Sequence, residues 1–343
     1  MPVEIDPTGR GLEVRDPSGN PIVMDPPSPL VQITSPGGAR ATFYPEVGFN
    51  LVEWWVPQGD KLVPIVHAEP DVLSGGSGTR SGIPILFPFP NRIAGAAYEF
   101  EGREYHLQPA HEGDPNAIHG FCAKAPWRDY TAVDDNSVAA TFRISRDAPD
   151  RAAEWPGDLE LRITFTLTDR ALRIAALVSN VGETAAPFGL GYHPYFTSLG
   201  NNSVNELLVE CRADRYWVLQ DSIPTGETRP VSGDTDLRSE TVLGARVLDD
   251  VLTGLRHFVP DADGLKRRAI MTGSAAQLSI RCDENFRELV VFTPANRQSF
   301  AIEPYTCPTD AVHLAATSKD VGWRVLQPGD SWRGIVELDA YPR

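Results

Sequence analysis

The sequence predicts an all-β protein built as one large antiparallel sandwich. The first sign is alternation. Leu159, Leu161, Ile163, Phe165 and Leu167 are interleaved with Glu160, Arg162, Thr164 and Thr166, a period of two that gives a strand one apolar and one polar face. The second is punctuation: 30 prolines and 29 glycines are spread along the chain, and both residues interrupt helices while supplying turns. The third is that no segment repeats its apolar residues at helical spacing over three turns.

Taken in order, residues 1–30 carry prolines at 2, 7, 17, 21, 26, 27 and 29 and read as an irregular arm that wraps or frays. Residues 31–343 read as a single sandwich domain. Short strands are expected near 40–44, 50–56 and 61–66, and Asp71 to Gly82 (DVLSGGSGTRSG) is a loop. A strand over 137–145 precedes the alternating segment. Thr168, Asp169 and Arg170 then turn the chain, and Leu172, Ile174, Ala176 and Val178 run back as its neighbour. Further strands are expected near 206–211, 277–282, 288–293, 299–303 and 331–340, separated at intervals typical of sandwiches.

Composition narrows the function classes. The chain has 343 residues, 41% of them apolar, enough for a large core, and a formal net charge of -15. Nucleic acid and anionic membrane surfaces both need a positive face, so neither is an expected partner. Cys122, Cys211, Cys282 and Cys307 form no CxxC pair, and no signal segment or long apolar run is evident. Reduced, buried thiols in a cytoplasmic protein are the expectation. HExxH, GxSxG, Walker and helix-opening GxGxxG motifs are all missing, so neither a metal nor an organic cofactor is expected.

Four segments place polar groups among glycine, proline and aromatic residues. The most informative is Phe188 to Phe196 (FGLGYHPYF). Its glycines permit unusual backbone angles or close approach, Pro194 holds His193 extended, and Tyr192, Tyr195 and Phe196 offer flat walls. Histidine is the side chain best suited to move a proton near neutral pH. In Gly82 to Ile93 (GIPILFPFPNRI), three prolines rule out a central strand and present Asn91 and Arg92. Arg92 can fork onto neighbouring hydroxyls or close a surface salt bridge. His119, in Asn116 to Phe121 (NAIHGF), serves equally as a ligand donor or as a core histidine with a structural partner. In Ala301 to Asp310 (AIEPYTCPTD), Glu303 is expected where an apolar strand stops at Pro304. A partly desolvated carboxylate there makes a good general base, whereas an edge charge facing water does not. Asp249 and Asp250 follow an apolar step and read as hydroxyl ligands or as a solvated acidic pair.

Together these segments resemble the aldose 1-epimerase (galactose mutarotase-like) family. The matching pieces are Asn91-Arg92-Ile93, Ile118-His119-Gly120, Gly191 to Phe196 and Ile302 to Tyr305, in the family's order, with a resemblance spanning about 30–340. It implies a large antiparallel supersandwich, Glu303 as general base and His193 as general acid. It also implies that Arg92, Asn91 and His119 bind the sugar and that Asp249, with Asp250 as its rival, holds hydroxyls. The implied partner is a small-molecule sugar, a free hexose such as glucose or galactose, handled by a monomer or homodimer without a cofactor. The lead-in Pro84 to Pro90 (PILFPFP) is less glycine-rich than in the galactose enzymes and is similar to hexose-6-phosphate mutarotases. A phosphorylated hexose, and a non-catalytic sugar-binding protein on the same fold, are therefore the alternatives.

Overall fold

In the computed structural model, which describes residues 3–8, 10–22, 28–74, 76, 78–256, 263–317 and 319–343, antiparallel sheets dominate. Pro2, Pro26 and Pro27 of the expected arm lie outside the described residues. The alternating segment forms the strand Leu159–Leu167, its apolar residues buried and their alternates half-buried. It pairs with Ala171–Asn180 in the register Leu167↔Leu172 to Leu159↔Asn180. Both belong to a nine-stranded sheet that also holds Asp129–Asp134, Ser137–Arg143, Ser331–Pro342, Ala276–Cys282, Lys266–Thr272, Leu208–Cys211 and Thr241–Val242. The buried face of this sheet meets a five-stranded sheet, with the Phe165 and Phe43 rings 4.7 Å apart. Each such buried side chain contributes about 1.5–3 kcal/mol relative to exposure.

The second large sheet has eight strands. Along it run Ile223–Pro230, Ala213–Gln220, Asp249–Leu255, Glu288–Phe292, Phe300–Tyr305, Gly191–Tyr192 and Ile85–Leu86, with Tyr195–Phe196 also paired to Phe300–Tyr305. This sheet carries Asp249 and Glu303, and His193 lies between two of its short strands. The proline-rich segment enters it only through Ile85–Leu86, the last strand on the path, as its missing amide donors require.

Several strands depart from the sequence expectation. The strand expected over 137–145 ends at Arg143, because Asp147 accepts a hydrogen bond from the Arg143 amide and Asp158 one from Ser145. Those carboxylates hold the next residues, Ile144–Asp147, in a helical turn. The strand expected to stop at Glu303 continues through Pro304 to Tyr305. Within the expected N-terminal arm, Val3–Asp6 pairs with Leu30–Thr34. Ala213–Gln220, Ile223–Pro230, Asp249–Leu255 and Lys266–Thr272 were not anticipated, since their polar and apolar residues alternate poorly. All four cysteines are buried and unpaired. Among the described residues, no helix is long and apolar enough to cross a membrane.

Candidate functional site

Cross-strand register brings His193 to Glu303. Gly191 pairs with Tyr305, Tyr195 with Ala301 and Phe196 with Phe300, so His193 falls opposite Glu303 where Pro194 interrupts the ladder. Period two then sorts the motif. Gly191, His193 and Tyr195 face the same side as Glu303 and Tyr305, while Tyr192 and Phe196 turn into the core. Tyr192 stacks on Phe286 at 5.9 Å, and Phe196 is fully buried. Of the three aromatics expected as walls, only Tyr195 lines the pocket; Ile118, Val290, Phe292, Pro294, Ala295 and Tyr305 also line it. Gly191 is required by close approach rather than by an unusual φ. A Cβ there would sit 2.5 Å from the Tyr305 ring and 2.8 Å from Pro90.

The side chains meet inside a cavity of about 580 Å³. His193 Nε2 lies 3.3 Å from Glu303 Oε1 and 3.3 Å from the Tyr195 hydroxyl, which donates to Thr79 O at 2.8 Å. The Tyr195 ring stacks on the imidazole with centroids 4.5 Å apart. Tyr305 donates to the other oxygen of Glu303 at 2.5 Å. Glu303 is only 1% exposed and His193 only 6%. Burial holds the Glu303 carboxyl well above the ordinary carboxylate value, against the opposing Tyr305 hydrogen bond. Burial also pushes the His193 imidazole down to about 3. Each group alone therefore favours its neutral form, as desolvation demands.

Arg92, Asn91 and His119 come from a second construction. Arg92–Ile93 pairs with Ala117–Ile118, and the His119 amide donates to Asn91 O at 2.8 Å. Asn91 and His119 both have left-handed backbone, φ 53° and 62°, a conformation in which Asn and His are enriched and which clusters at functional sites. Gly120 follows because a Cβ there would lie 2.3 Å from Phe87 O. Asp310 pins the Arg92 side: its amide donates to Arg92 O at 2.8 Å, and its Oδ1 accepts from the Ala94 amide at 3.0 Å. His119 lies edge-on to His193, centroids 5.7 Å apart. Burial, followed by the nearness of His193 and Arg92, keeps His119 well below its ordinary pKa.

All six residues singled out in the sequence line this one cavity: Asn91, Arg92, His119, His193, Asp249 and Glu303. Register decides between the two aspartates. Asp249 pairs with Phe292 and Asp250 with Val291, which puts Asp249 on the pocket face with Phe292 and Val290. Sequence reasoning missed Glu69, Arg80, Asn296 and the wall formed by Phe292. Arg80 lies in the Asp71 to Gly82 segment and Phe292 at the end of an expected strand. Nothing local to either residue, or to Glu69 and Asn296, signals that they meet at one pocket.

Comparison with known proteins gives the family and the fold. The family profile described as Aldose 1-epimerase matches residues 29–339. The uncharacterized protein YihR of Escherichia coli is 28% identical over 230 residues, 66% of this chain and 70% of that protein. Human galactose mutarotase is 34% identical over 174 residues, 49% of this chain and 48% of that protein; the chain thus matches about half the length of that relative. A solved galactose mutarotase-like protein from Clostridium acetobutylicum shares the fold, with a TM-score of 0.80 at 21% identity, covering 92% of this chain and 96% of that one.

Proposed function

Because this chain belongs to the aldose 1-epimerase family, we propose that it exchanges the α and β anomers of a free aldohexose such as glucose or galactose. The observation that carries this reading is the buried 3.3 Å contact between Glu303 Oε1 and His193 Nε2, on the floor of a pocket rich in hydrogen-bonding groups. Anomer exchange opens the ring by breaking the bond between C1 and the ring oxygen. One group must take the proton of the C1 hydroxyl while another gives a proton to the ring oxygen. Glu303, as carboxylate, takes the first, and His193, as imidazolium, gives the second. The product is the open aldehyde beside a neutral carboxylic acid and a neutral imidazole. Rotation about C1–C2 presents the other carbonyl face. Reclosure returns the ring-oxygen proton to His193 and the Glu303 proton to O1.

The pair thus holds one proton throughout, and its charged and neutral forms are the two ends of one step. Burial favours the neutral form and offsets the cost of the open-chain state. Each positioned acid or base contributes about 10²–10⁴-fold. Arg92, Asn91 and His119 orient the hydroxyls, Asp249 accepts from them, and Tyr305 holds Glu303 in place. Polarimetry or exchange NMR on freshly dissolved α-glucose and α-galactose tests the reading: the protein is expected to speed equilibration in proportion to its concentration. Tight sugar binding without faster exchange overturns it in favour of a binding protein.

The pH dependence follows from the same directions. A second proton enters at His193, whose pKa is pushed down to about 3. The single proton leaves Glu303, whose pKa is raised. The acid-side inflection of kcat/KM for the free enzyme is therefore expected near pH 3, where His193 takes its proton, rather than near pH 6.5. A half-maximal point near pH 6.5 would mean that His193 titrates as a solvated imidazole.

A further inference from the structure

We propose that the cavity holds two sugar units, with Glu69, Arg80 and Asn296 forming a second subsite, so that the preferred substrate is a neutral reducing disaccharide. This rests on the anomer-exchange reading of Glu303 and His193. The cavity measures about 580 Å³, whereas a hexose displaces about as much as six waters, roughly 180 Å³. Its polar groups fall into two sets. Asn91, Arg92, His119 and Asp249 gather around Glu303 and His193. Glu69, Arg80 and Asn296 come from other segments, on the side of Tyr195, whose hydroxyl donates to the carbonyl of Thr79, next to Arg80.

The second set is built and braced. Asn296 Nδ2 donates to Glu69 Oε1 at 2.9 Å, joining the loop after Phe292 to the segment around Glu69. The Glu69 amide donates to Ser81 Oγ at 2.7 Å. Neighbouring Arg297 anchors the loop through Asn205 Oδ1 at 2.7 Å and Arg246 O at 2.8 Å. Arg80 has no carboxylate partner among the described residues. A carboxylate, an amide and a guanidinium lining one cavity match the mixed donors and acceptors of sugar hydroxyls. Glu69, Asp249 and Glu303 in the same cavity, and the overall charge of -15, disfavour an anionic group there. Exchange needs a free C1 hydroxyl, so the second unit must be joined through another hydroxyl of the reacting ring.

The test compares kcat/KM for anomer exchange on glucose, maltose, cellobiose, melibiose and glucose 6-phosphate, in wild type and in Glu69→Gln, Asn296→Ala and Arg80→Gln. At least one disaccharide is expected to exceed glucose about tenfold in the wild type, and each substitution to lower that ratio severalfold with unchanged thermal unfolding. Glucose turned over as well as every disaccharide, or a ratio untouched by all three variants, overturns the subsite while leaving the anomer-exchange reading intact. A preference for glucose 6-phosphate lost only in Arg80→Gln overturns it in favour of an anion site. No exchange on any sugar overturns the underlying reading itself.

Discussion

Glu303→Gln is expected to lower anomer exchange by about 10²–10⁴-fold while thermal unfolding stays at or above the wild-type temperature. Glutamine is nearly isosteric, and its carbonyl still accepts the Tyr305 hydroxyl that now reaches Glu303 at 2.5 Å. What it lacks is the ability to take a proton. A carboxyl only 1% exposed carries a desolvation cost whenever it ionises, so its removal is not expected to weaken the fold. The loss should appear in kcat, with KM for glucose or galactose changed little, because an amide still hydrogen-bonds a hydroxyl. Near wild-type rates, measured by polarimetry, would remove Glu303 from the mechanism.

His193→Asn is expected to cost a similar factor for a different reason. Asparagine is too short to span the 3.3 Å contact with Glu303 Oε1, and it forfeits the stack on Tyr195. His193→Gln keeps an amide within reach of Glu303 but cannot be protonated in the working range, so it should be nearly as slow. The double variant Glu303→Gln with His193→Gln should be little slower than either single one. Groups that pass one proton between them act as a unit, and their losses do not add. Fully additive losses would mean that the two residues act independently.

The strands that alternation revealed most plainly are those with one wet and one dry face. Leu159–Leu167 and Ala171–Asn180 alternate over their whole length because each lies between core and solvent. Asp249–Leu255 escaped notice since three of its seven residues are Asp, Asp and Gly, and two of its faces' apolar positions are adjacent in sequence. Pro304 was read as a stop, yet it lies within Phe300–Tyr305. The ladder on the side of His193 and Pro194 is already interrupted there. The site motifs were legible because glycine, proline and aromatics crowd around single polar residues. The Glu69, Arg80 and Asn296 end was not, because its residues meet only through loop packing.

By itself the sequence determined the class of fold, through alternation and turn chemistry that act within a few residues. It also marked the polar side chains that stand among glycine, proline and aromatic residues. Only the tertiary structure decided which of them touch. His193 and Glu303 become partners through strand register, and Asp249 rather than Asp250 faces the pocket through the pairing with Phe292. The tertiary structure also set the direction in which their proton affinities shift. The pKa directions of Glu303 and His193 come from burial, and burial belongs to the packed sheets rather than to any local stretch of chain.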